Sequence, residues 1–133
     1  MKLRERFDLR EILRFLVGGG SAVLTDFAVY QLLMSVRAGI DLSKGVSYVL
    51  GASVGFVINK FWTFRSKRFH ITEIGKYVVL YAFSALVNTG VNRLVLAWWG
   101  IKLIAFLLAT AASTVINFLG QKYIVFKQKG REE

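Results

Sequence analysis

The chain contains no cysteine and no proline, and His70 is its only histidine. The lack of cysteine excludes disulfides, a zinc site, an iron–sulfur site and thiol catalysis. One histidine cannot form a metal cluster by itself. Charge is also scarce, since only 20% of the 133 residues are charged, and those are bunched rather than spread. Apolar residues make up 55% before the twelve glycines are counted. Soluble domains sit nearer about 45–50% on a count that already includes glycine. The length suits one domain, and the long charge-poor stretches are those of a chain whose solvent is lipid. A soluble α/β domain and a disordered chain are both excluded.

The net charge of +10 raises the question of nucleic acid. A nucleic-acid binder lays Lys and Arg along one face of a soluble fold. Here the basic residues flank apolar spans instead, where they report membrane topology. No nucleic-acid partner is expected.

Four apolar spans are legible, at about residues 15–36, 43–64, 77–99 and 103–121. Each is close to the ~20 residues that a helix needs to cross ~30 Å of hydrocarbon. No proline interrupts them. Ser43 and Thr72 are candidate N-caps, for the second span and for a short lead-in to the third. The segment before residue 15 reads as an amphipathic surface piece leading into the first span, not as a signal peptide.

Basic residues orient the chain. The N-terminal segment has Lys2, Arg4, Arg6, Arg10 and Arg14; the middle connection has Lys60, Arg65, Lys67, Arg68 and Lys76. The tail adds Lys122, Lys127, Lys129 and Arg131, against only Arg37, Lys44, Arg93 and Lys102 elsewhere. That asymmetry places both termini and the middle connection in the cytoplasm, with the protein multi-pass in the cytoplasmic membrane.

Shifting the sequence by 62 residues superposes its halves without a gap. Val17 falls on Val79, Phe56 on Phe118, Lys60 on Lys122, Phe64 on Phe126 and Lys67 on Lys129. Arg14/Lys76, Phe15/Tyr77, Asp26/Asn88, Asn59/Gln121 and Phe61/Tyr123 are conservative matches. The expected fold class is therefore all-α integral membrane, with four transmembrane helices as two parallel helical-hairpin repeats (about 12–65 and 74–127) in one domain.

The opening Arg14-Phe15-Leu16-Val17-Gly18-Gly19 and the run Phe56-Val57-Ile58-Asn59-Lys60-Phe61-Trp62-Thr63-Phe64 resemble the GtrA-like family of small four-helix membrane proteins. The second half echoes the run from Asn117 to Phe126, with Gln121 and Tyr123 departing from the family pattern. The resemblance implies translocation of a polyprenyl-phosphate-linked sugar, often beside a membrane glycosyltransferase.

Polar groups inside spans are costly and each needs a partner or a job. Gly18, Ala22, Asp26 and Tyr30 share one face of the first span; Ser84, Asn88 and Asn92 share one face of the third. Thr110, Ser113 or Thr114, Asn117 and Gln121 form a stripe on the fourth, while Gly51 and Gly55 run into Asn59 on the second. Small residues permit close helix packing and amides bond across helices, which is the plain account of these stripes. Asp26, Tyr30, Asn88, Asn92, Asn117 and Arg93 are the candidates for a sugar path, with Asp26 as hydroxyl acceptor or proton carrier. The plain alternative for Asp26 is a structural pair with Arg93. Lys60, Lys122, Arg14, Lys76, Asn59 and Gln121 are candidates to bind a lipid phosphate at the cytoplasmic edge. Lys60 fits simple flanking poorly, because Phe61, Trp62 and Phe64 continue the apolar segment beyond it.

No paired carboxylates, nucleophile–base set or metal cluster supports catalysis, so no enzyme activity and no cofactor are expected. The leading expectation is a flippase for a polyprenyl-phosphate-linked sugar in cell-surface polysaccharide biosynthesis, with membrane lipid around it. The alternatives are an accessory subunit that recruits a glycosyltransferase, and a small multidrug-type exporter coupled through Asp26. Four helices enclose little volume, which is compatible with a homodimer.

Overall fold

The computed structural model describes residues 8–126. The flanking cations Lys2, Arg4, Arg6, Lys127, Lys129 and Arg131 lie outside the described residues. Among the described residues four α-helices follow one another: α1 (Leu9–Ser35), α2 (Ile40–Ile58), α3 (Ile71–Trp99) and α4 (Lys102–Gly120). A five-residue π-turn continues α2 over Asn59–Thr63 and α4 over Gln121–Val125. No strand occurs among the described residues.

The chain divides into two compact units, Met1–Lys67 and Arg68–Glu133. In the first, α1 packs against α2; in the second, α3 packs against α4. Elements of the second unit start 62 residues after those of the first: Leu9 and Ile71, Ile40 and Lys102, Asn59 and Gln121.

At ~1.5 Å per residue, the 27 residues of α1 extend ~40 Å, more than the hydrocarbon needs. One unbroken helix therefore includes residues 9–14, which the sequence read as part of a surface segment leading into the first span. The helix starts there because the Asp8 carboxylate accepts the Arg10 N–H at 3.0 Å, satisfying one of the end donors.

The caps also differ from expectation. α2 is capped at Gly39, whose φ of 93° suits glycine alone, and Ser43 sits a turn inside with its N–H bonded to the Gly39 carbonyl at 3.0 Å. α3 is capped at His70 rather than Thr72, because the Glu73 carboxylate reaches back to accept the His70 N–H at 3.1 Å.

Leu9–Ser35, Ile71–Trp99 and Lys102–Val125 are each long and apolar enough to cross a membrane. α2 is the fourth long helix, and its first two turns are more polar, carrying Asp41, Ser43, Lys44 and Ser47. Large apolar side chains face outward along these helices, among them Leu24 and Phe27 of α1, Val79 and Leu86 of α3, and Leu107 of α4. Water would penalise that arrangement and lipid does not.

Inside each hairpin the seam is built from small residues. Ser43, Ser47, Gly51 and Gly55 recur every four residues on α2 and are all buried; Ala105 and Ala109 take the matching places on α4. Gly51 is required there, since a Cβ would lie 2.6 Å from the Ala22 carbonyl oxygen. The two crossings divide bulk in opposite ways. A Cβ at Gly18 on α1 would strike Asn59 and crowd Ile58, whereas a Cβ at Gly120 on α4 would strike Leu80. Gly18 matches Leu80 and Ile58 matches Gly120 at the 62-residue offset, so small and large exchange helices between the hairpins.

Candidate functional site

Each hairpin carries two polar clusters, one at its π-turn and one nearer its helix–helix turn. The π-turn widens the helix by one residue, so that the Phe64 N–H bonds the Asn59 carbonyl at 2.9 Å and the Phe126 N–H bonds the Gln121 carbonyl at 2.8 Å. That widening turns the side chain after the amide inward. Lys60 is 0% exposed, donates to the Ser66 hydroxyl at 3.1 Å and lies 5.4 Å from the Phe61 ring centre. Lys122 is 8% exposed and lies 5.7 Å and 5.5 Å from the ring centres of Phe118 and Tyr123. Phe64 and Phe126 close both turns as fully buried side chains.

The amides pack beside these lysines. Asn59 accepts the Thr63 hydroxyl at 2.9 Å and fills the space left by Gly18. Gln121 donates to the Tyr81 hydroxyl at 3.4 Å, while its Oε1 and the Oδ1 of Asn117 are buried acceptors that no described donor reaches. Of the remaining expected phosphate ligands, Arg14 donates to the Trp62 carbonyl at 3.3 Å and lies 5.2 Å from the centre of that indole. Lys76 is exposed. The accessible cation is therefore Arg14 in the first hairpin and Lys76 in the second, with Lys60 and Lys122 turned into their own hairpins.

The second cluster is charged in one hairpin and neutral in the other. Asp26 receives the Lys44 ammonium on Oδ2 at 2.7 Å and the Ser47 hydroxyl on Oδ1 at 2.6 Å. The same ammonium lies 5.8 Å from the centre of the Tyr30 ring. The sequence offered Arg93 as the structural partner of this acid; the helix packed against α1 supplies Lys44 instead. At the matching place in the second hairpin, the Asn88 amide donates to the Ser113 hydroxyl at 3.0 Å and the Ser84 hydroxyl donates to the Ser113 carbonyl at 3.2 Å. Phe106 and Ala109 stand where Lys44 and Ser47 stand in the first. Asn92 is half-buried and Arg93 is exposed.

Lys44, Ser47, Ser66 and Ser113 thus join the polar clusters, and sequence reading assigned only Ser113 to a stripe. One signal for Lys44 was available: an acid in a span needs a partner, and Lys44 and Ser47 lie three apart on the next helix.

Chemically, these clusters offer hydroxyl and amide donors, one carboxylate and several cations on a frame whose outer faces suit lipid. That defines a small all-α membrane protein of two helical hairpins with matching elements. The chain belongs to the family described as GtrA/DPMS, transmembrane domain, whose model matches residues 14–126. It is also similar to the uncharacterized membrane protein YngA of Bacillus subtilis (strain 168), with 30% identity over 117 residues, or 85% of this chain and 77% of that protein. The resemblance carried by the Arg14 and Phe56–Phe64 motifs holds over nearly the whole chain.

Proposed function

We propose that this protein moves a polyprenyl-phosphate-linked sugar across the cytoplasmic membrane for cell-surface polysaccharide biosynthesis. The observation that carries this reading is the family match over residues 14–126. The geometry supports it in a second way. Each hairpin keeps polar groups at both ends of its seam, Asn59 and Asp26 in the first and Gln121 and Asn88 in the second. A sugar needs such hydrogen-bonding groups to leave water, while polyprenyl tails can remain in lipid. In each hairpin the accessible cation, Arg14 in the first and Lys76 in the second, would meet a phosphate at the cytoplasmic face.

Reconstitution into vesicles with candidate polyprenyl-phosphate sugars tests the proposal. Faster crossing than in empty vesicles is expected. No acceleration for any such lipid would favour an accessory subunit that recruits a glycosyltransferase, a reading that the words "transmembrane domain" in the family description also suit. The exporter reading is the weaker one, because a coupling acid must exchange protons freely and Asp26 is held by Lys44 and Ser47.

Orientation is a separate expectation, resting on the basic asymmetry. A cysteine at exposed Lys67 should resist an impermeant thiol reagent in intact cells, and one at exposed Arg37 should react. The reverse pattern would invert the topology.

A further inference from the structure

The second hairpin packs without a counterpart of the charged cluster in the first. The second hairpin makes the same crossing with Asn88 and Ser113, and has apolar Phe106 and Ala109 where Lys44 and Ser47 stand. An ion pair within a span is costlier to keep than such an amide contact. All three members differ together, which marks Asp26, Lys44 and Ser47 as one set. The Lys44 side chain is 59% exposed against 20% for Asp26, so an arriving anion meets the ammonium first. Lys44 precedes Lys60 by 16 residues, placing it ~24 Å along the helix from the π-turn. It stands five residues after the Gly39 cap, near the end of the hairpin opposite the Arg14 cluster.

We infer that Lys44 is a second phosphate-binding group, at the end of the first hairpin remote from its π-turn, and that Asp26 is the resident counter-ion which an arriving lipid phosphate displaces. This rests on the lipid-phosphate substrate proposed above. A phosphate that leaves the cations at one face needs a cation at the other, or it is left unpaired at the edge of hydrocarbon. Lys44 supplies that cation. Asp26 keeps it compensated while no ligand is bound and releases it by exchange of one anion for another. Ser47 holds the other carboxylate oxygen, so that Asp26 keeps one hydrogen bond after Lys44 turns to the phosphate.

The Tyr30 ring below the Lys44 ammonium gives a local reporter. The protein labelled with 3-fluorotyrosine, its Tyr30 signal assigned through Tyr30→Phe, is titrated in zwitterionic nanodiscs with citronellyl phosphate, citronellol or inorganic phosphate and followed by fluorine NMR. Citronellyl phosphate should move the Tyr30 signal saturably, and citronellol should not. Asp26→Asn should give the same response at several-fold lower ligand, because the competing anion is gone. Lys44→Gln should abolish the response and Lys44→Arg should keep it. A Tyr30 signal indifferent to citronellyl phosphate would overturn the inference, as would an Asp26→Asn response lost along with that of Lys44→Gln, the mark of a structural pair. An equal response to inorganic phosphate would overturn the assignment to lipid. Wild-type protein that moves lipid-linked sugar in vesicles with a silent Tyr30 signal refutes this inference alone. A phosphate-dependent shift in a protein that moves no lipid refutes only the transport reading.

Discussion

The two hairpins place their helix starts and π-turns at the same offset and differ in what they put on the shared frame. The first has a glycine, Gly51, where α2 meets α1, and a charged set made of Asp26, Lys44 and Ser47. The second has Ser113 at the matching place, bonded to Asn88, with no charge in the cluster. Both keep an inward-turned lysine behind an amide at the π-turn. The comparison separates what the frame requires from what one hairpin adds. Lys60 and Lys122 recur with the frame, whereas the Asp26 set does not.

The largest expected effect breaks the seam of the first hairpin. Gly51→Val would drive a branched side chain into the Ala22 backbone, a rigid neighbour, and should cost on the order of 3 kcal/mol or prevent pairing of α1 with α2. Ser113→Ala removes one side-chain hydrogen bond and should cost only about 1 kcal/mol. Unfolding in mixed detergent, followed by circular dichroism, measures both. Equal losses would mean that the seams are not built differently.

Next come the buried lysines. Lys60→Met and Lys122→Met should each destabilise by about 2 kcal/mol, the loss of charged hydrogen bonds or ring contacts at a buried site. Similar losses in the two hairpins would support a shared structural role. Unchanged stability with weakened binding of citronellyl phosphate would return these lysines to the headgroup site.

The smaller effects come from the exchanged bulk at the two crossings. Gly18→Ala meets Asn59, which Thr63 holds in place, and should cost about 1.5 kcal/mol. Gly120→Ala meets only the end of Leu80, which can swing aside, and should cost less than about 1 kcal/mol. The opposite order would show that Asn59 yields more easily than Leu80.

Much of this frame was legible in the sequence, for physical reasons. Lipid demands long apolar stretches, so the four helices and the 62-residue offset stand out from hydropathy and the placement of polar residues. The stripe through Gly51 pointed to close packing because a missing Cβ has few other uses inside a span. The π-turns were not legible, since one extra residue per turn leaves no mark on composition. Its consequence did leave a trace at Lys60, a cation followed by Phe61, Trp62 and Phe64, which outward flanking could not explain. Lys44 was misread for a different reason. A cation near the edge of an apolar span looks like a topology signal, and its pairing with Asp26 depends on the register of two helices, which sequence does not display. Arg93 attracted that pairing because it lies in the third span on the outer side, from where its long side chain could reach inward.

The central claim is that the charged set in the first hairpin serves transport and not assembly. The most direct measurement neutralises the charged set while keeping Ser47 as the donor to position 26, as the variant Asp26→Asn, Lys44→Gln, and follows polyprenyl-phosphate-sugar crossing in vesicles beside unfolding in detergent. The account predicts stability within about 1 kcal/mol of the wild type, since a half-exposed pair contributes little, together with loss of most crossing. Crossing at the wild-type rate in a normally folded variant would contradict it.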